Sequence, residues 1–174
     1  MTLYLAPYGW DHPEWAAGFY PDDLPPAWRL AYFFNEFEAV AVPASVWDGA
    51  PDVTAWCEDS PPGRRFFLEL PAAEGARERF LAAAERLGER VAGVLGAPAD
   101  QPWWRERLPV PCAGTAALGF GIWHGAAPDL RQLRARMTAL AAGRPALLLF
   151  TGTPPDLAAL RAACTLRQLL GIGG

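Results

Sequence analysis

Strand-sized apolar runs alternate with amphipathic stretches along nearly the whole chain. That alternation restricts the fold more than any single motif does. Leu3 to Tyr8 reads as a first strand, and Pro25-Pro26 opens a helix with Leu30, Phe33, Phe34 and Phe37 at helical spacing. A second strand is predicted over Ala39 to Trp47, closed by the turn pair Asp48-Gly49. Pro51 to Glu58 reads as a short helix and Phe66 to Leu70 as a third strand. Glu74 to Arg90 is amphipathic, with Phe80, Leu81, Ala84 and Leu87 on its inner face, and Val91 to Leu95 is a fourth strand. The rhythm breaks between Ala97 and Pro111, where prolines surround Trp103-Trp104. It returns with a strand over Ala117 to Trp123, a helix over Pro128 to Ala142, and the continuously apolar strand Ala146 to Phe150. Thr153 as N-cap, Pro154 at the first helical position and Asp156 behind them predict a final helix, which runs to Leu170 and stops at Gly171. Such an order of elements predicts a mainly parallel sheet.

With 174 residues, 52% of them hydrophobic and 20% charged, the chain has material for one domain with a sizeable core. No apolar run approaches the roughly 20 residues that span a bilayer, so no membrane is expected. The N-terminus lacks a basic start and a long apolar stretch, which predicts a cytoplasmic address. A net charge of −4 argues against a nucleic-acid surface. All 15 basic residues are arginine, so no lysine can form a Schiff base or act as a general base. Cys57, Cys112 and Cys164 lack the paired spacing of a zinc site, and no cofactor is expected. Cys164 falls on the apolar side of the last helix and reads as a small buried hydrophobe rather than a reactive thiol.

The segment Ala6-Pro7-Tyr8-Gly9-Trp10, followed by Trp15, Gly18, Phe19-Tyr20-Pro21 and Leu24-Pro25, resembles the opening of the YecE-like family, domain of unknown function seventy-two. There the pattern runs G-T-S-G-W, then W-x-G-x-F-Y-P, then a helix. Gly121-Ile122-Trp123-His124-Gly125 resembles the family's aromatic-x-R-x-H-G strand end, and Leu147 to Gly152 its V-x-V-x-F-N-N strand end. Between the matched ends, Leu95-Gly96-Ala97-Pro98 is only a faint trace of a Q-L-P-P segment, and nothing matches the E-F-R-H strand. The resemblance implies a parallel (β/α) barrel, which in full form takes about 250 residues. The expectation is therefore an α/β, abbreviated or open TIM-barrel-like fold with about five to seven strands. It would be a single domain over residues 1–174, with middle strands missing around 97–116. Missing strands leave open edges, so Ala97 to Pro111 is expected to lie across the gap as an incomplete cover, and a two-fold homodimer is expected.

The resemblance also points to losses. Where the family's second strand carries a glutamate and an amide, this chain has Ala41 and Pro43; where its third strand ends in lysine, this chain has Glu69. The paired amides after its last strand are Thr151-Gly152 here, and His124 is the surviving polar signature residue.

Sites in such folds form at the carboxyl ends of the strands. That rule selects His124 and Glu69 as catalytic candidates, and Trp10, Trp47, Trp123, His12 and Asp48 as ligand-binding candidates. His12 approaches His124 if the first and last strands are neighbours. The plainer alternative has His124 bonded to a neighbouring loop and His12 solvated. Trp47 and Trp123 either offer ring faces to a sugar or a base, or plug a mouth emptied of polar groups. Two functions follow, beside a third reading in which the chain is a diverged remnant with no independent activity, stable only as an oligomer. One is a non-catalytic, degenerate barrel (a pseudoenzyme) that binds a small molecule or acts as a scaffold. The other is a small hydrolase or isomerase using His124 with a nearby carboxylate, with or without a metal ion.

Overall fold

In the computed structural model, residues 2–96, 103–125 and 129–174 are described. Among these described residues, six strands form two three-stranded sheets with the orders β1-β6-β5 and β2-β3-β4. The strands are β1 Leu3–Pro7, β2 Ala39–Val42, β3 Arg65–Glu69, β4 Val91–Leu95, β5 Gly119–His124 and β6 Ala146–Thr151. Every ladder is parallel. The helices are α1 Arg29–Glu36, α2 Val53–Asp59, α3 Arg77–Leu87, α4 Leu130–Leu140 and α5 Leu157–Leu169.

The two sheets touch at both flanks. Tyr8 and Ala41 form a parallel bridge, and Gly9 N–H donates to Ala41 O at 2.8 Å. On the far side, Val94 N–H donates to Pro111 O at 3.0 Å and Ala113 N–H donates to Val94 O at 2.9 Å. Gly114 N–H then donates to Leu118 O at 2.9 Å, so the chain at 111–118 carries the pairing from β4 to the start of β5. Of the proline-rich segment Ala97 to Pro111, Pro111 takes part in this pairing, while Trp103 packs against Phe80 of α3. The segment's first residues, 97–102, fall outside the described residues.

Alternate strand residues divide the core in two, as a side-chain period of two requires. Ala6, Ala39, Ala41, Phe67, Leu95, Leu118, Leu147 and Leu149 form one cluster between the sheets. Leu3, Leu5, Val40, Val42, Phe66, Leu68, Leu148 and Phe150 join the helices in the other, against Phe33, Phe34, Phe80, Leu133, Met137 and Leu160. Small residues at β1 and β2 suit a narrow interior, while the larger side chains meet the helices. Trp104 is fully buried in the outer cluster, and Trp103 lies half-buried against Phe80 at 5.7 Å.

Three expectations need correction. The second strand does not reach Trp47. Pro43 ends it, because proline has no N–H for the ladder, and Ala44–Asp48 coils into a 3-10 turn. The last helix is capped by Asp156 and not by Thr153: the Asp156 carboxylate accepts from Ala158 N–H at 2.8 Å and Ala159 N–H at 3.3 Å. Pro155 disfavours helical geometry at Pro154, so the helix cannot begin there. Similarly, α4 starts at Leu130 behind an Asp129 cap, while the Pro128 start read from the sequence lies outside the described residues. Cys164 is half-buried rather than fully buried, and burial pushes its thiol up to about 11, which keeps it protonated near neutral pH.

Candidate functional site

Parallel register brings Tyr8, Glu69, His124 and Thr151 to the same end of the molecule. Pro7 pairs with Phe150, His124 with Thr151, and Glu69 with Leu95. Glu69 holds this end together. Its Oε2 accepts from Tyr8 OH at 2.5 Å and from Ala44 N–H at 2.8 Å, while its main-chain O accepts from Trp47 Nε1 at 2.7 Å. One residue thus ties the end of β1 and the 3-10 turn after β2 to β3. Burial, the hydrogen bond to Glu69 and the Glu69 charge together raise the Tyr8 phenol well above the ordinary tyrosine range.

His124 is exposed, and its Nδ1 lies 3.1 Å from Thr151 Oγ1, which itself donates to Trp123 O at 3.4 Å. His12 has other partners: its Nε2 donates to Tyr8 O at 3.0 Å and its ring sits 4.5 Å from that of Trp15. No hydrogen bond joins the two histidines among the described residues. Nor do these residues contain a group of three or more His, Cys, Asp or Glu that could hold a metal ion.

Gly9 explains the Gly-Trp pair. It has φ +86°, and a Cβ there would stand 3.1 Å from His12 Nε2. The turn this permits folds Trp10, Asp11 and His12 back over Pro43. A cavity of about 230 Å³ results, lined by Gly9, Trp10, His12, Pro43, Val46 and Trp56, with Asp11 at its rim. Trp10 meets Trp56 edge to face, ring centres 5.0 Å apart. Asp11 pairs with Arg29, and Trp10 O accepts from Tyr20 OH at 2.5 Å.

The structure separates the residues that the sequence grouped. Trp10 and His12 line the cavity; Glu69 and His124 stand at the strand ends. Trp47 is fully buried, packed against Phe80 at 5.4 Å, because the 3-10 turn rotates it away from the mouth. Trp123 packs half-buried on the outer core, on the opposite face of β5 from His124. Asp48 is exposed, and only its main-chain O is bonded, by Arg79 Nη2 at 3.5 Å. Trp56 and Tyr8 were missed, and Thr151 was placed at its strand end without a role. Tyr8 and Thr151 were detectable as the strand-end neighbours of Gly9 and His124; Trp56 carried no signal beyond its place on a short helix.

No protein-family model matches the sequence. No curated protein matches it either. Among solved structures, a DUF72 family protein of Thermotoga maritima MSB8 superimposes with a TM-score of 0.69 at 15% identity, over 98% of this chain and 100% of that one. A DUF72 family protein of Enterococcus faecalis V583 does so with a TM-score of 0.58 at 11% identity, over 99% of this chain and 98% of that one. The chain has the fold of these proteins in an open or abbreviated form: among the described residues the strands make two sheets joined by isolated bridges rather than one continuous ladder.

Proposed function

We propose that this chain is a non-catalytic protein of the DUF72 type that binds a small, ring-shaped ligand at the carboxyl ends of its strands. The observation that carries this reading is the engagement of Glu69. Both hydrogen bonds on Oε2 come from the protein itself, so the carboxylate serves as a brace and not as a free acid or base. His124 has a hydroxyl rather than a carboxylate as its partner, which leaves no acid–base pair of the kind a hydrolase or isomerase needs.

The cavity beside this brace supports binding. Its walls are the indoles of Trp10 and Trp56 with Pro43 and Val46, and His12 supplies a polar group. At about 230 Å³ it is smaller than the roughly 300–1,000 Å³ of drug-sized pockets. A neutral monosaccharide or a nucleobase has the matching size and an apolar ring face. Residues 1–174 act in this proposal as one domain in the cytoplasm. Among the described residues no helix is long and apolar enough to cross a membrane.

Tryptophan fluorescence titrated with monosaccharides and nucleobases tests the reading. A saturable change that Trp56→Ala abolishes, in a variant still folded by circular dichroism, is the expected result. Turnover of any substrate that depends on His124, or a stoichiometric metal ion in the purified protein, would overturn it.

A further inference from the structure

The opposite end of the strands holds a second cavity, of about 410 Å³, lined by Thr2, Tyr4, Glu38, Arg64, Arg65 and Arg167 among others. Three guanidinium groups face it, together with the Glu38 carboxylate and the last residue, Gly174, in a chain whose overall charge is −4. Arg167, on α5, is 8% exposed, and its donors are committed to the frame: Nη1 to Leu3 O at 3.2 Å and Nη2 to Glu38 Oε2 at 2.5 Å. Arg64 and Arg65 differ. Arg64 donates through Nε to Phe34 O at 2.9 Å, and among the described residues its two terminal nitrogens make no hydrogen bond. Arg65 donates through Nη1 to Glu89 O at 3.3 Å. Among the described residues neither forms an ion pair with a carboxylate.

We propose that this amino-end cavity is a binding site for a small dianion of the phosphate monoester class, held by the forks of Arg64 and Arg65 with Arg167 behind them. A guanidinium fork matches the oxygens of a phosphate in a bidentate manner, and half-buried like charges are stabilised by an anion between them. Placement follows from the fold. Arg65 opens β3 opposite Ala39 of β2, Arg64 precedes it, and Arg167 reaches the first residue of β1, so three strand starts converge on one opening. Bracing alone accounts for Arg167. It leaves the remaining donors of Arg64 and Arg65 without a role.

Inorganic phosphate is the probe, measured by isothermal titration calorimetry and by melting temperature against sodium chloride of equal ionic strength. One saturable site is expected, with affinity lowered about tenfold or more in Arg64→Gln/Arg65→Gln by the loss of charge-assisted contacts. If the double variant fails to fold, Arg64→Gln alone, which gives up a single main-chain bond, carries the test. Equal stabilisation by chloride, unchanged phosphate affinity in the folded variant, or equally tight binding of succinate would each overturn the proposal. Trp56→Ala, at the other end of the strands, leaves phosphate binding unchanged, so failure here and failure at the mouth are distinguishable.

Discussion

Tyr8 and Glu69 lie 61 residues apart in the chain, and the hydroxyl of the first donates to Oε2 of the second at 2.5 Å, an oxygen that Ala44 N–H shares. This contact fastens the end of β1 to the end of β3 across β2, where only one bridge joins the two sheets. Glu69→Ala is expected to lower the free energy of unfolding by about 1.5–3 kcal/mol, the worth of hydrogen bonds to a charged group. Tyr8→Phe costs less, about 1 kcal/mol, because Ala44 still donates to the carboxylate. Urea denaturation of the two single variants and the double variant measures the coupling. Strict additivity would show that the contact is not made.

Alkaline titration reads the buried phenols. Tyr8 and Tyr20 are both raised well above the ordinary tyrosine range, chiefly by burial. Their folded-state protons are held beyond the roughly pH 10 at which the unfolded chain releases them. Stability from these groups is therefore fully present below about pH 10 and is lost as pH rises further. Cys164, shifted from 9.0 to about 11, adds a loss that begins earlier, from about pH 9 upward. Absorbance at 295 nm should show at least two of the four tyrosines titrating only with unfolding. A single ordinary step for all four would refute this.

Gly93 admits the segment that replaces the missing strands. A Cβ there would stand 2.9 Å from Pro111 O and 2.9 Å from Leu118 Cδ2. Gly93→Ala is expected to cost about 1–3 kcal/mol through overpacking, and to loosen residues 111–118. Hydrogen exchange at Val94 and Ala113, which pair across this line, checks the second part. Unchanged protection would separate Gly93 from the closure of the gap.

Trp104 is fully buried in the outer cluster. Trp104→Ala should cost about 3–5 kcal/mol as a large core truncation, and the half-buried Trp103→Ala distinctly less. The two-fold dimer read from the sequence rested on an open edge and exposed tryptophans. With Val94 paired and Trp104 buried, the substitutions should alter melting temperature rather than association. Light scattering coupled to size exclusion, run on wild type and both variants, decides it.

The two candidate caps of the last helix can be told apart. Asp156→Ala removes two main-chain contacts and should cost about 1 kcal/mol, whereas Thr153→Ala should stay within about 0.5 kcal/mol of wild type. Thermal denaturation of both suffices, and a larger effect at Thr153 would restore the cap predicted from the sequence.

The sequence by itself determined the order and identity of the elements. Apolar runs bounded by proline and glycine place β1, β3, β4, β5 and β6 within two or three residues, and the continuously buried β6 is apolar almost throughout because it is covered on both faces. It also determined that Gly9-Trp10 and His124 stand at strand ends. What only the tertiary structure decided is which side chains share that end. One proline, Pro43, stops β2 and turns Trp47 into the core, while Trp56 reaches the cavity from a short helix. Glu69 reads as a free carboxylate in sequence and is a brace in three dimensions, because its partners Tyr8 and Ala44 are 61 and 25 residues away. Periodicity reports the face on which a residue lies. Distances between faces of different elements are set by how the elements pack, and no local pattern encodes them.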